Sequence, residues 1–369
     1  VESVKRFEFK WQIVSWERLL SGADEWVQGI EDGSSIRLDS PGQNFAVEKA
    51  LLRWGIDERE TRFTRISAQQ LEKLPYEKGR VLALDQWYAG WQKVLKYLEA
   101  SLRGRSVSYF NPPSDVGAMF DKPRCNRLLN ESGVPVPPVF GSPGDFDELV
   151  EMMRLGHCRR IFLKPCYSSS ASGIVALEIQ AGRHQAFSSV EMVRGDGEIK
   201  LFNSRHVKRY EGLAEIRELV DAICRENAYV ERWLPKAGLG GKRFDLRIVV
   251  VAGIARHVVV RLSDHPMTNL HLGAKRGEVG RLREAMGEPA WASVIATAEK
   301  AMRSFPDSLY GGIDLLVSPG WKKPHVLEVN AFGDFLPGYL WQGLDTFTCE
   351  LKAWAGRSQG RDQVSTTGL

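Results

Sequence analysis

The chain of 369 residues is long enough for two or three modules with real cores, and its 43% apolar and 26% charged residues are those of an ordinary soluble protein. A formal charge of +4 neither demands a nucleic-acid partner nor excludes an anionic ligand. Five scattered cysteines (Cys125, Cys158, Cys166, Cys224 and Cys349) show no CxxC spacing and read as reduced thiols without a zinc site. No apolar run approaches the roughly 18 residues that span a bilayer, and no basic-then-apolar leader opens the chain, so the expectation is a cytoplasmic chain without membrane association.

In chain order, the first third alternates strand-like and helix-like patches: Trp11-Gln12-Ile13-Val14-Ser15-Trp16, then Ser34-Ser35-Ile36-Arg37-Leu38, then a helix over 44–54. Asp39-Ser40-Pro41-Gly42 supplies a turn ahead of that helix, and Asn44 fits its cap. This βα order predicts an α/β N-terminal domain over 1–113, whose initial strand is expected to be absent because the chain starts abruptly. Asn111-Pro112-Pro113-Ser114 reads as a domain junction. A helix follows over 121–132, ended by Gly133, then strands near 161–164 and 173–177. Next come a helix over 213–225, strands at 229–231, 246–251 and 257–262, and a helix over 291–304. Residues 356–369 are expected to form a frayed polar tail.

Two strands near the end carry the densest chemistry. Gly311-Gly312-Ile313-Asp314-Leu315-Leu316-Val317 and His325-Val326-Leu327-Glu328-Val329-Asn330, joined by a Trp-Lys-Lys-Pro turn, predict an antiparallel hairpin. Alternation puts Glu328 and Asn330 on one face, and Asp314 can face them from the partner strand. Two carboxylates and an amide oxygen suit Mg²⁺, with Mn²⁺ as a substitute; Mg²⁺ completes its shell with waters and phosphates, which directs attention to a nucleotide. There is no GxxxxGK[ST] and no GxGxxG after a strand. Instead Phe162-Leu163-Lys164 delivers a lysine into the loop Pro165-Cys166-Tyr167-Ser168-Ser169-Ser170-Ala171-Ser172-Gly173, whose small side chains and hydroxyls can cradle phosphate; taken alone it is equally a flexible serine hairpin.

The order of the whole set resembles the ATP-grasp superfamily, nearest to its branch of glutathione synthetases and ribosomal-protein glutamate ligases. The motifs are Lys122, the Lys164 strand and loop, Tyr229-Val230-Glu231-Arg232-Trp233-Leu234-Pro235, Phe244-Asp245-Leu246-Arg247, Asn269-Leu270-His271-Leu272-Gly273, Asp314 and Glu328-Val329-Asn330, spanning about 115–354. The resemblance implies an α/β N-terminal (pre-ATP-grasp) domain followed by a two-lobed α+β ATP-grasp domain. Its first lobe would run over 114–232 with a phosphate lid, and its second over 233–355 with the metal site.

The same resemblance implies residue roles. Lys122 and Lys164 contact ATP phosphates. Ser168, Ser169, Ser170, Ser172 and Gly173 form the lid, serine-rich where relatives carry more glycine. Glu231, Arg232, Trp233 and Leu234 form the hinge that binds adenine through its backbone. Arg247 and Arg261 face the transferring phosphoryl group, and Asn269, with His271, closes the site. Asp314, Glu328 and Asn330 hold Mg²⁺. The reaction implied is ATP-dependent joining of a carboxylate to an amine through an acyl-phosphate, on small-molecule or peptide substrates, with no nucleic-acid partner and with oligomerisation left open. A kinase of the same fold and a non-catalytic ATP-binding module stay open as alternatives. The basic run Arg205-His206-Val207-Lys208-Arg209-Tyr210 reads as a solvated strand or as a contact for an acidic substrate. Gly333-Asp334-Phe335-Leu336-Pro337-Gly338 departs from the shorter turn that follows the metal strand in relatives.

Overall fold

A computed structural model of the chain describes residues 7, 9–22, 24–42, 44–57, 61–180, 183–195, 197–332, 336 and 338–365. Gln43 of the cap segment, Gly333, Asp334, Phe335 and Pro337 of the segment after Asn330, and 366–369 of the tail lie outside the described residues.

Three sheets organise it. In the N-terminal third, β1 (Ser35–Ile36), β2 (Arg80–Val81) and β3 (Ser108–Tyr109) are short, and β1 pairs with β3 in parallel. Helices dominate there: Trp16–Leu20, Phe45–Trp54 and Leu84–Ser101 pack around Trp91, which is fully buried. The strand expected over 11–16 is irregular, and Trp16 instead opens a helix capped by Ser15. The serine side chain accepts the Arg18 N–H, and among the described residues no strand pairs with this stretch. The helix expected over 44–54 does form, with Asn44 accepting from the N–H groups of Ala46 and Val47.

The first large sheet holds β4 (Val139–Gly141), β5 (Arg160–Pro165), β6 (Val175–Gln180), β7 (Arg183–Gly195), β8 (Glu198–Tyr210) and β9 (Ala228–Arg232), ordered β2-β8-β7-β6-β5-β9-β4. Helices Phe146–Leu155 and Leu213–Cys224 cover one face and bury Leu149, Ile161, Leu163, Leu177, Leu219 and Ile223. The second holds β10 (Gly238–Leu239), β11 (Lys242–Val251), β12 (Ile254–Ser263), β13 (Lys275–Gly277), β14 (Tyr310–Val317) and β15 (Pro324–Asn330), ordered β13-β12-β11-β14-β15 with β10 on β11. Gly240 and Gly241 take positive φ in the β10–β11 turn, so the glycines there serve a hairpin.

The N-terminal third ties the two sheets together. β2 extends the first sheet, pairing Arg80 with Phe202 and Val81 with Leu201. Leu84 N donates to Glu226 Oε2 at 3.0 Å, Asn227 Nδ2 donates to Asp85 Oδ1 at 2.7 Å, and Tyr88 stacks on Tyr167 with ring centroids 3.8 Å apart. The core around Trp91 is meanwhile continuous with the core of the second sheet. The junction at Asn111 is a buried staple. Its Nδ2 donates to the carbonyls of Tyr310 (3.0 Å) and Ala331 (3.3 Å), and its Oδ1 accepts from the N–H groups of Leu309 (3.1 Å) and Tyr310 (3.3 Å). Pro113 then opens the helix Pro113–Phe120, where its missing N–H costs nothing. Asn111 thus fixes the open end of the hairpin that carries Asp314 and Glu328, where β14 starts and β15 finishes.

The tail expected to fray continues the helix Thr346–Ser365. Its inner end is anchored, because Cys349 and Leu351 are buried against β11 and β12 and Glu350 Oε2 accepts from Arg37 Nε at 3.1 Å. Glu350 Oε1 has no partner among the described residues. Burial pushes the Glu350 carboxyl up to about 7, against the opposing charge of Arg37. A carboxyl whose folded value lies above its unfolded one stabilises the fold fully at low pH, and that contribution is lost as pH rises through about 7. The wild type should therefore lose on the order of 3 kcal/mol between pH 4.5 and 8 relative to Glu350→Gln, read from denaturant unfolding across that range. Parallel pH profiles for the two proteins would contradict this.

Candidate functional site

The predicted hairpin is present, with β14 and β15 antiparallel and Asp314 directly opposite Glu328. Gly312 lies opposite Asn330, and Arg247 lies opposite Asp314 on the other neighbour, β11. Asp245 faces Arg261 across β11–β12. Side chains alternate along each strand, so these registers gather Asp245, Arg247, Arg261, Asp314, Glu328 and Asn330 on one face of the second sheet.

One charge network joins them. Arg247 donates to both oxygens of Asp314, with Nη2 at 3.2 Å from Oδ2. Arg261 Nε donates to Asp245 Oδ1 at 2.6 Å, and its Nη1 and Nη2 reach Asp314 Oδ2 at 3.3 and 3.2 Å. Lys236 Nζ donates to Asp245 Oδ2 at 3.1 Å and to Thr268 Oγ1 at 2.6 Å, and Thr268 donates on to Asp245. Side-chain exposures of 8% for Lys236, 4% for Asp245, 7% for Arg261 and 8% for Asp314 make this a buried network, in which every charge must be balanced. Lys236 and Thr268 were not singled out from the sequence. The only available signal was a lysine directly after the Leu234-Pro235 hinge segment.

Burial opposes ionisation of Asp314, but the charges of Arg247 and Arg261 outweigh it and hold the carboxyl well below the usual range. Burial and then the Asp314 charge push Glu328 up, with Lys122 opposing. Two hard oxygen donors directly opposite one another on paired strands are placed to share a divalent cation. Asn330 donates through Nδ2 to Gly312 O at 3.0 Å, which leaves its Oδ1 as an acceptor for a third ligand bond. No group of three His, Cys, Asp or Glu side chains among the described residues is placed to hold a metal, so a cation between Asp314 and Glu328 would need the Asn330 oxygen as its third protein donor. The donor chemistry therefore fits Mg²⁺.

The first sheet supplies the facing wall. Lys164 pairs with Glu231, which also accepts from Tyr229 OH at 3.1 Å; Lys164 lies opposite Tyr229, and Phe162 opposite Glu231. Trp233 packs on Phe162 with centroids 5.3 Å apart. At the hinge, two backbone amides are engaged within the protein. Arg232 N–H donates to Pro138 O at 2.9 Å and Trp233 N–H to Arg160 O at 3.2 Å, because β9 is paired on both edges. The Arg232 side chain shares the helix-covered face with Ile161 and donates to Gly156 O at 3.1 Å. The amide donors of Arg232 and Trp233 are therefore engaged within the protein, and the Arg232 side chain points away from Glu231.

The serine loop connects β5 to β6. Ser172 N–H donates to Ser169 O at 2.9 Å, with Ser170 and Ala171 at φ of +54° and +61°, so the tip is a turn with two left-handed non-glycine residues, costing about 1–2 kcal/mol each. Gly173 follows at φ +73°, and a Cβ there would lie 2.5 Å from Pro165 Cγ, so glycine is required on both counts. Lys122 Nζ donates to Ser168 O, and Ser168 Oγ is buried without a partner among the described residues. Burial, with the charge of Lys164 adding to it, pushes the Lys122 ammonium down against the pull of Glu328.

Asn269 ends the chain before the short turn Leu270–Leu272, accepting the His271 N–H at 2.8 Å, and His271 itself is exposed. Cavities of about 420 and 230 Å³ lie outboard of the hinge and share Arg160, Glu178 and Trp233. Neither is lined by Asp314 or Glu328.

This two-sheet arrangement is the ATP-grasp fold. The chain superposes on D-cycloserine synthetase with a TM-score of 0.53 at 14% identity, covering 96% of this chain and 92% of that one. D-Alanine–D-alanine ligase from Coxiella burnetii matches with a TM-score of 0.46 at 14% identity (75% and 68% covered), and VanG D-Ala:D-Ser ligase from Enterococcus faecalis with 0.47 at 13% (70% and 67%). No family model matches the sequence, and no curated protein does.

Lys236→Met should lower stability by about 2 kcal/mol, since Asp245 stays buried with one cation fewer, and Lys236→Arg should restore part of it. Chemical denaturation measures both, and an unchanged midpoint in the methionine variant would contradict the network.

Proposed function

We propose that this chain is an ATP-dependent carboxylate–amine ligase working through an acyl-phosphate. The observation that carries the reading is the convergence of Lys122, Arg247 and Arg261 on the carboxylate pair Asp314 and Glu328, with Lys164 of the other sheet beside Lys122. A polyphosphate with its cation is the ligand that such alternating charge fits. The fold shared with a synthetase supports the same reading.

Asp314, Glu328 and Asn330 would hold Mg²⁺, which when bound neutralises charge on the phosphate oxygens; Mn²⁺ suits the same donors. Lys122 and the loop 168–173 would hold the phosphates, with the orphaned Ser168 hydroxyl as a further donor. The hinge 231–234 would bind adenine, Leu234 N–H being the donor after the engaged amides of Arg232 and Trp233. Phe162 and Trp233 offer the ring faces. Arg247 and Arg261 would offset the repulsion between an incoming carboxylate and the γ-phosphate. The carboxylate oxygen forms a bond to the γ-phosphorus as the bond to the bridging oxygen breaks, releasing ADP. An amine nitrogen then attacks the acyl carbon, inorganic phosphate leaves with the C–O bond pair, and the ammonium proton is lost to solvent. Asn269 would close the far side, and the strained loop tip would exclude water from the mixed anhydride. The substrates are a small-molecule or peptide carboxylate and amine, and the setting is cytoplasmic.

The test is Mg·ATP incubated with the protein, a pool of carboxylic acids and hydroxylamine. ADP, phosphate and a hydroxamate are expected, and Glu328→Ala should lose that turnover while keeping its fold by circular dichroism. A phosphorylated metabolite without hydroxamate would point to a kinase, and AMP with pyrophosphate would overturn the mechanism.

A further inference from the structure

Arg276 lies on β13 directly opposite Arg261. Opposed residues of an antiparallel pair share a face, so Arg276 stands on the same face as Asp245, Arg247 and Asp314 at the outer edge of the sheet. Its neighbour Arg261 is neutralised by Asp245 and Asp314, whereas Arg276 has no carboxylate partner among the described residues. Its guanidinium rests over the Tyr339 ring, 4.9 Å from the centroid, on the segment that follows the metal strand. Like charges placed directly opposite one another weaken a strand pair, and the cation–π contact orients the guanidinium without neutralising it. The turn that carries Asn269 leads straight into β13, and the basic strand β8 packs against Leu270–Leu272 from the other sheet. That wall adds Arg205, exposed and without a carboxylate partner among the described residues, whereas Lys208 is offset by Glu191.

Resting on the ligase reading, we propose that Arg276, oriented by Tyr339, binds a second anionic group of the acid substrate, so that the substrate class is a dicarboxylate or an equivalent acid with two anionic ends. Strands lie about 4.8 Å apart, so an acid anchored at Arg276 on β13 has its second carboxylate within one or two strand spacings of the Asp314 network. Arginine suits this role because its planar fork grips a carboxylate through two parallel hydrogen bonds. Arg276 acts on affinity and orientation and takes no part in the transfer itself.

The experiment is calorimetric titration of the protein saturated with Mg²⁺ and a non-hydrolysable ATP analogue, using glutarate and the matched monoacid pentanoate. The wild type should bind glutarate at least about tenfold more tightly than pentanoate. Arg276→Gln should erase that preference, Arg276→Lys should retain part of it, and nucleotide affinity should stay within about twofold. Equal binding of the two acids by the wild type, or an undiminished preference in Arg276→Gln, would overturn the inference and leave the ligase reading standing. Failure of the wild type to bind the Mg·nucleotide would remove the ligase reading and this inference with it.

Discussion

Two buried carboxylates, Asp245 and Asp314, sit on one face of a sheet beside Lys236, Arg247 and Arg261, and the site depends on that balance. Neither anion could be buried alone, since an unpaired charge costs several kcal/mol, and none of the three cations could be. Cross-strand register supplies the pairing without long-range accident: Asp314 opposes Arg247, and Asp245 opposes Arg261. The arginines are therefore held in place before any ligand arrives, which is the preorganisation that stabilising a transferring phosphoryl group requires.

The N-terminal third takes part in both walls of the cleft. It adds β2 to the first sheet, shares one core with the second, and sets Tyr88 on Tyr167 at the root of the serine loop. Asn111, with four hydrogen bonds to the ends of β14 and β15, anchors the strands of the carboxylate pair. With both sheets tied to one body, the strain at Ser170 and Ala171 is concentrated in the loop 168–173, the element that would close over phosphates on the proposed reading.

Much of this was legible in the sequence because its signals are local. The period-two alternation around Asp314 and Glu328 gave the hairpin and its face, and the strand carrying Lys164 gave the loop that follows. What escaped notice depends on pairing across long separations. Asn111 looked like part of a proline linker because nothing nearby reveals that its partners are 198–220 residues away. Nothing local marks Lys236, and Arg276 is one basic residue in a polar stretch until β13 is laid beside β12. Trp11 to Trp16 alternates like a strand but has no partner strand, and the Ser15 cap starts a helix there instead. Residues 356–369 read as a polar tail, whereas 356–365 continue the helix Thr346–Ser365, whose base is buried at Cys349, Glu350 and Leu351. Arg232 shows the limit of a motif: its place beside Glu231 was clear, but which face it takes follows from the pairing of β9 with β5.

The central claim is that the charge network serves transfer of a phosphoryl group to a carboxylate. It is tested most directly by supplying a pool of acids labelled with ¹⁸O in their carboxylates, together with Mg·ATP and an amine pool, and weighing the inorganic phosphate released. Phosphate carrying one ¹⁸O atom is the expected result, because the acid's oxygen leaves on phosphorus when the amide forms. Unlabelled phosphate would mean that water, not a carboxylate, took the phosphoryl group, and would contradict the account.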